Sequence, residues 1–235
     1  MTGLRVFRLA NLRWIIKQRA WTPYYLVRYW RFLRLSFFGP RDVICTGFVF
    51  LGKDVELSVR KGFGRIVIGP WVHIGDHNRI RAHEGTVTLG AKTVFGRDNT
   101  INAYLNVSVG EECVISDSIY MCDFDHRTDR IDTPIRNQGI IKSPVIIESN
   151  VWIGTKATIL RGTRVQQGSV VGANAVVKGI IPEMSIAVGS PARVIRSRRD
   201  PTPTSIKSAE HQAYVTAQTQ AALNEAFPRG FSSDG

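Results

Sequence analysis

The feature that most constrains this chain is a repeat of six residues. Between Ile147 and Val177 an aliphatic side chain stands at every sixth position without exception. An α-helix would space its apolar residues three and four apart, and a half-buried strand would alternate them by two. A fixed period of six is instead typical of the hexapeptide repeat of a parallel β-helix, in which each unit forms a short strand and a turn. The inward-facing anchors of this stretch are Ile147, Ile153, Ile159, Val165, Val171 and Val177.

The same spacing extends toward the N-terminus in groups of three, which indicates a three-sided coil of eighteen residues. Longer steps separate the groups, and each longer step follows the third anchor of a group. All additional chain is therefore expected to leave the β-helix at one corner. Glycine follows many anchors, as at Gly75 and Gly90, where a tight corner would leave no room for a side chain. The further anchors are Ile68, Ile74, Ile80, Leu89, Phe95, Ile101, Val109, Ile115 and Met121.

The net charge limits the possible binding partners, and the cysteines indicate the cellular compartment. The 235 residues carry a formal charge of +12, which favours anionic partners such as lipid headgroups, nucleic acid or a phosphorylated cofactor. The three cysteines show no metal-type spacing, and Cys113 falls at an interior-type repeat position, so we expect reduced thiols and a cytoplasmic protein. No apolar run approaches the length of a membrane span, and no secretion signal is evident.

Residues 1–40 form a basic, aromatic segment without any Asp or Glu. Pro23 divides two predicted helices, roughly residues 4–20 and 24–37, and Thr22 stands where it would cap the second. The segment has three possible roles: it caps the open end of the β-helix, packs on a neighbouring subunit, or lies on a membrane surface through residues 1–36. Nucleic acid is the weakest possibility, because no groove-reading motif accompanies the charge.

Among the histidines, His126 is the strongest candidate for chemistry. It lies at the start of the longest insertion, at about 122–144, where the chain leaves the β-helix. Asp123 and Asp125 flank it, and a neighbouring carboxylate orients an imidazole and stabilises its charged form, as a general base requires. His73 and His83 cluster elsewhere with His77, but these three occupy different strand and corner positions of one coil, so we expect exposed turn histidines without a metal.

A wider set of motifs resembles the hexapeptide-repeat acyltransferases, in the branch of galactoside, maltose, polysaccharide and xenobiotic O-acetyltransferases. The likeness covers roughly residues 65–197 and lies in the repeat, the long loop, VWIGTKATIL, VVGANAVVKG and IPEMSIAVGSPARVI. It implies a left-handed parallel β-helix that forms a homotrimer, with active sites between subunits and acetyl-CoA as the co-substrate. Carried over by position, His126 matches the base that deprotonates a sugar hydroxyl. Asn102 matches an asparagine that contacts the acceptor.

The same resemblance implies a coenzyme A site toward the last coils. Thr155 matches a serine and Ala173 an alanine, and the two lie eighteen positions apart, so they are expected to stack beneath an extended pantetheine arm. Val177 is also carried over to the coenzyme site, although it stands where the galactoside acetyltransferases have threonine, so one hydrogen bond to the coenzyme would be missing. Trp152 is expected either to line the same groove or to be a structural corner residue. The basic residues that match those around the nucleotide and phosphates are Lys178, Arg193 and Arg196.

The sequence therefore predicts an all-β solenoid over residues 41–197, preceded by the helical segment 1–40 and followed by a linker and a C-terminal helix within 198–235. The predicted function is transfer of an acetyl group from acetyl-CoA to a saccharide hydroxyl. The basic aromatic N-terminus also resembles actinobacterial enzymes associated with methylated-glucan synthesis. The alternatives are a non-catalytic β-helix assembly subunit and a metal-dependent enzyme similar to the β-helical carbonic anhydrases. Contact with the inner face of the membrane is a further possibility, and nucleic acid is not expected as a partner.

Overall fold

The computed structural model describes residues 22–200, 216 and 217. The chain divides into two units, Met1–Arg198 and Arg199–Gly235. The predicted helix at 4–20 and most of the predicted C-terminal helix lie outside the described residues, although Thr216 and Ala217 are helical. The first unit begins, within the described residues, with helix α1 (Pro23–Phe38).

The body of the first unit is a parallel β-solenoid of about six turns, which confirms the predicted β-helix and is consistent with its left-handed form. Three sheets form its faces. The first sheet contains β1 (Val43–Cys45), β4 (Gly64–Ile68), β7 (Gly85–Leu89), β10 (Asn106–Val109), β15 (Val145–Ile147), β18 (Arg164–Val165) and β21 (Ile180–Ile181). The second contains β2 (Phe50–Leu51), β5 (His73–Ile74), β8 (Val94–Phe95), β11 (Val114–Ile115), β16 (Trp152–Ile153), β19 (Val170–Val171), β22 (Ser185–Val188) and β23 (Arg193–Ser197). The third contains β3 (Glu56–Val59), β6 (Arg79–Ala82), β9 (Thr100–Ala103), β12 (Tyr120–Cys122), β17 (Thr158–Ile159) and β20 (Val176–Val177).

The interior follows the six-residue register. Every predicted anchor is 2% exposed or less. Anchors of successive coils also pair directly, as in the column of Ile101, Met121, Ile159 and Val177 on the third sheet. A second interior row, two residues before the anchors, mixes aliphatic side chains such as Ile66 and Ile119 with smaller or polar ones, among them the buried Cys113. The core is therefore a stack of aliphatic layers.

The corners bring backbone segments of successive coils into close contact. A Cβ added to Gly75 would lie 2.3 Å from the Gly96 carbonyl oxygen, and one added to Gly90 would lie 2.3 Å from the Gly110 carbonyl carbon. The glycines are therefore required by lack of space, as expected. The left-handed backbone falls on other residues, which include several glycines and polar corner residues such as His77 at φ 58°. We call the corner between the second and third sheets the middle corner, and the corner between the third and first sheets the return corner.

Helix α1 packs on the first coil. Phe32 is 1% exposed, and its ring centroid lies 4.8 Å from that of Phe48. The Tyr25 ring meets Phe50 edge to face at 5.8 Å. Thr22 occupies the N-cap position as predicted, but its side chain makes no capping hydrogen bond. Among the described residues no helix is long and apolar enough to cross a membrane.

Candidate active site

The long insertion closes into a β-hairpin at the return corner. Strand β13 (Phe124–His126) pairs antiparallel with β14 (Ile140–Lys142), and His126 lies opposite Ile140. The amide of Ser143 donates to the carbonyl of Asp123 at 2.8 Å, so the chain leaves and re-enters the β-helix at adjacent points. A 3-10 turn (Ile135–Asn137) lies within the insertion, between β13 and β14. Because its two ends are joined, the hairpin projects from one place on the scaffold.

Two ion pairs hold the hairpin to neighbouring coils. Arg161 Nε donates to Asp125 Oδ2 at 2.5 Å from the coil that follows the insertion. Lys142 pairs with Glu84 from an earlier coil. This pairing holds the pKa of the Glu84 carboxyl below its ordinary value, with the hydrogen bond from Lys142 as the main cause. The hairpin is therefore attached on both sides along the axis of the β-helix, one attachment on each strand.

A row of rings runs along the same corner toward the exposed His126 imidazole. His83 stacks on Tyr104 with centroids 4.8 Å apart, and Tyr104 meets Phe124 edge to face at 4.5 Å. Phe124 then lies 6.4 Å from His126, again edge to face. Phe124 and His126 share one face of β13, since alternate residues of a strand point the same way. These ring contacts hold strand β13 against the β-helix, and the His126 imidazole lies at the exposed end of the row.

The two carboxylates beside His126 make contacts that differ from those expected. Asp123 is completely buried. It accepts three backbone hydrogen bonds, from the amides of Tyr104 at 2.8 Å, Leu105 at 2.8 Å and Asn106 at 2.7 Å. Asp125 lies on the opposite face of β13 from Phe124 and His126, because adjacent strand residues point to opposite faces. There it binds Arg161. Asp123 therefore secures the corner, and Asp125 secures the hairpin, in place of the predicted hydrogen bonds to the imidazole.

Asn102 lies on the outer face of the third sheet, beside the base of the hairpin. It pairs in register with Cys122, the last residue of β12. The neighbouring Tyr120 is 38% exposed. Burial raises the pKa of the Tyr120 phenol, a hydrogen bond with Cys122 adds to this, and Asn102 opposes it. Asn102 and Tyr120 therefore present adjoining polar groups within the same sheet that leads to His126.

Sequence reasoning missed Tyr120 and Arg161, although the repeat register contains the signal for both. Tyr120 immediately precedes the anchor Met121, which places its side chain on the outer face. Arg161 follows the anchor Ile159 by two positions, just as Asp123 follows Met121. The register therefore stacks Arg161 one coil beyond the start of the hairpin.

Thr155 and Ala173 lie stacked at the middle corner, as their spacing predicts, and both are exposed. The amide of Asn174 donates to the Thr155 carbonyl at 2.9 Å and ties the two coils together. A Cβ on Gly154 would come within 2.6 Å of the Ala173 nitrogen, so the backbones touch here. The Thr155 hydroxyl donates to the Asp117 carbonyl at 2.9 Å. At this corner Thr155 and Ala173 are therefore exposed on adjacent coils whose backbones are in contact.

The other coenzyme candidates fall on several parts of the scaffold. Trp152 is 51% exposed on the outer face of the second sheet, and its indole N–H donates to the Ser116 hydroxyl at 3.1 Å. Arg193 and Arg196 are exposed on β23, which pairs antiparallel with β22 and extends the same sheet. Lys178 is exposed at the return corner, on the side of the hairpin.

Val177 does not face a groove. Its side chain is 0% exposed because it is an interior anchor. Its carbonyl oxygen already accepts hydrogen bonds from the Leu160 amide and the Thr163 hydroxyl, both at 3.0 Å. The predicted cofactor contact of Val177 is therefore corrected: the residue belongs to the core.

The three clustered histidines have separate environments. His73 lies in β5 and stacks on Phe50 at 4.1 Å, so it is not the exposed turn residue that was expected. Burial, with a smaller contribution from Arg28, lowers the pKa of His73 from 6.5 to about 4. His77 contacts two carboxylates at the middle corner, and His83 belongs to the row of rings at the return corner. Within the described residues no group of three or more His, Cys, Asp or Glu side chains could hold a metal ion.

Comparison with known proteins agrees with this architecture. Residues 144–178 match the family model "Hexapeptide repeat of succinyl-transferase". The "Probable acetyltransferase Rv3034c" of Mycobacterium tuberculosis is 53% identical over 191 residues, which are 81% of this chain and 63% of that protein. The "Putative colanic acid biosynthesis acetyltransferase WcaF" of Escherichia coli is 28% identical over 80% of this chain and 87% of its own length.

A solved structure of a variant of AntD, an N-acyltransferase from Bacillus cereus in complex with dTDP and coenzyme A, shares the fold. It has a TM-score of 0.59 at 20% identity, over 78% of this chain and 95% of that one. The chain spans less than two thirds of the length of the mycobacterial relative. In its repeat, its solenoid and these relatives, the chain is therefore similar to the hexapeptide-repeat acetyltransferases.

Proposed function

We propose that this protein is an O-acetyltransferase that moves an acetyl group from acetyl-CoA to a hydroxyl of a saccharide, either a glycan or a methylated glucan. The observation that carries the proposal is the placement of His126. Its imidazole is exposed at the end of β13, on a hairpin that ion pairs and ring contacts hold to the β-helix. Relatives named as acetyltransferases, one of them for colanic acid biosynthesis, support the class of reaction and of acceptor.

In the proposed reaction, His126 removes the proton from the acceptor hydroxyl. The oxygen attacks the thioester carbonyl of acetyl-CoA, a carbon–oxygen bond forms, and the carbon–sulfur bond then breaks. The imidazolium returns its proton to the departing thiolate. Asn102 is proposed to hold the acceptor, because it lies on the outer face beside the base of the hairpin. Because the hairpin is anchored, the His126 side chain has less conformational entropy to lose when it meets the acceptor, which favours the reaction.

The coenzyme is proposed to bind along the middle corner, with the pantetheine arm over Thr155 and Ala173. Trp152 would flank this arm. Arg193, Arg196 and Lys178 would neutralise the phosphates, since guanidinium and ammonium groups bind phosphate oxygens strongly. His126 and the pair Thr155–Ala173 lie at different corners of one chain. A homotrimer in which the hairpin of one subunit meets the middle corner of the next would complete each site.

The reaction is proposed to take place in the cytoplasm. The three cysteines are free thiols, as in a reducing compartment. Burial raises the pKa of Cys45 to about 11, and burial is also the largest cause of the raised pKa of Cys113 and Cys122. The thiols therefore stay protonated and are not candidates for a covalent acetyl carrier.

The test is the release of CoA thiol from acetyl-CoA in the presence of glucose- and galactose-based oligosaccharides, methylated and unmethylated. We expect acceptor-dependent release by the wild type and its loss in His126→Ala, with an unchanged circular dichroism spectrum. His77→Asn is the matched control, because it removes another corner histidine while asparagine tolerates the left-handed backbone at that position. Full activity of His126→Ala would contradict the assignment of the base. Failure of the wild type to bind CoA by calorimetry would contradict the reaction itself.

A further inference from the structure

Helix α1 has two apolar faces, and the β-helix covers only one of them. The inner face packs on the first coil through Tyr25, Tyr29 and Phe32. The other face is a row at spacings of four, three and four residues, which places all its members on one side of a helix. We call this row the outer stripe. Its exposed fractions are 55% for Leu26, 68% for Trp30, 37% for Leu33 and 75% for Phe37.

A basic cleft adjoins the outer stripe. It lies between α1 and the first coil, and the charged residues that line it are Arg31, Arg34, Lys53 and Asp54. Lys53 is the cation nearest the single carboxylate, at 3.8 Å, so the cleft keeps an excess of positive charge. Trp30, Leu33 and Phe37 of the outer stripe line a shallow apolar pocket together with Arg34 and Phe38. Arg34 and Phe38 also line the basic cleft. The apolar and the basic surfaces are therefore continuous.

The charge of the segment discriminates among the possible occupants of this surface. Residues 1–40 contain eight Lys or Arg and no Asp or Glu. A second copy of the chain, packed helix to helix, would bring the same positive charges together. Residues 1–21, as another possible occupant, would add positive charge to this basic surface, because they carry five basic residues and no acidic one. An anionic surface with an apolar layer beneath it matches both the stripe and the cleft.

We propose that the outer stripe and the basic cleft bind this protein to membranes that contain anionic phospholipid. Trp30 and Phe37 enter the level of the headgroups, where aromatic side chains are favoured. Arg31, Arg34 and Lys53 receive a lipid phosphate in the cleft. The helix lies in the interface rather than across it. The first coil of the β-helix then faces the membrane, and the later coils extend away from it.

The experiment is co-sedimentation of the full chain with vesicles of phosphatidylcholine, with and without phosphatidylglycerol. We expect binding that requires phosphatidylglycerol and weakens with added salt. The double variant Trp30→Ser, Phe37→Ser should bind more than tenfold more weakly, and Arg34→Gln about fivefold more weakly. Ile180→Ser is the control, because it removes an exposed apolar side chain, 67% exposed, from the last coil instead.

Three results would overturn the proposal. The first is equal binding to neutral and anionic vesicles. The second is wild-type binding by the double variant, which would assign the lipid contact to residues 1–21. The third is a smaller oligomer of the double variant in analytical ultracentrifugation without lipid, which would make the stripe a contact between copies. Acetyl transfer to a soluble acceptor should be the same in wild type and double variant, so this test is independent of the proposed reaction.

Discussion

Mutation of Asp123 tests whether this residue, close to the proposed base, acts in stability or in catalysis. Its buried carboxylate accepts three backbone hydrogen bonds, at 2.8, 2.8 and 2.7 Å. In Asp123→Ala these donors lose their acceptor. Each orphaned N–H costs about 1 kcal/mol where water partly replaces the partner, so the free energy of unfolding should fall by about 3 kcal/mol. Asp123→Asn should lose less, because the amide oxygen remains an acceptor.

The assay is urea unfolding followed by circular dichroism, at one protein concentration for all variants. Asp117→Ala is the matched control, since its exposed carboxylate accepts a single backbone hydrogen bond, from the Arg97 amide at 2.6 Å. We expect the control to lose less than about 1 kcal/mol. An Asp123→Ala variant as stable as the control, but without acetyl transfer, would refute the reasoning and return Asp123 to the chemistry.

Three further predictions test the hairpin, the core and the environment of His73. Arg161→Met should lower kcat severalfold with little change in the KM for acetyl-CoA, because it frees the strand that carries His126. The control is Arg164→Met, which breaks an ion pair with Glu148 on the first sheet and should leave both kcat and KM unchanged. Ile159→Val should cost about 0.5–1.5 kcal/mol in urea unfolding, whereas Ile159→Asp should yield no folded protein, and a soluble native-like Asp variant would contradict the register. His73 has a pKa lowered from 6.5 to about 4, so only the unfolded chain gains its proton as the pH falls through this range. The wild type should therefore lose stability from pH 6.5 to about 4, and His73→Phe should lose less; equal losses would contradict the assigned environment.

The fold was predictable because a short period is a strong constraint. Each anchor must be aliphatic and must stack on the same position of the next coil, so one register error would expose a whole layer. Val177 shows the strength of this rule. The register placed it inside the β-helix, whereas the family resemblance placed it at the cofactor, and the structure follows the register.

The environment of His126 was less predictable. Its position at the start of the insertion follows from spacing, but the partners of Asp123 and Asp125 depend on how the inserted chain returns. Asp123 turns inward to amides of the previous coil, and Asp125 meets Arg161 of the next. Such contacts join residues far apart in sequence, and a linear motif does not record them. The sequence therefore predicted that a flanking carboxylate orients the imidazole, whereas both carboxylates bind other partners.

The joined ends of the hairpin have a consequence for how proteins of this kind diversify. The Ser143 amide meets the Asp123 carbonyl at 2.8 Å, so the span between them begins and ends at nearly the same point. The entropy of closing such a loop grows only slowly with its length. A longer or shorter segment at this corner therefore leaves the pitch of the solenoid untouched. If the proposed function holds, exchange of this one segment would change the contacts to the acceptor beside His126 and leave the stacked coils, with Thr155 and Ala173, as they are.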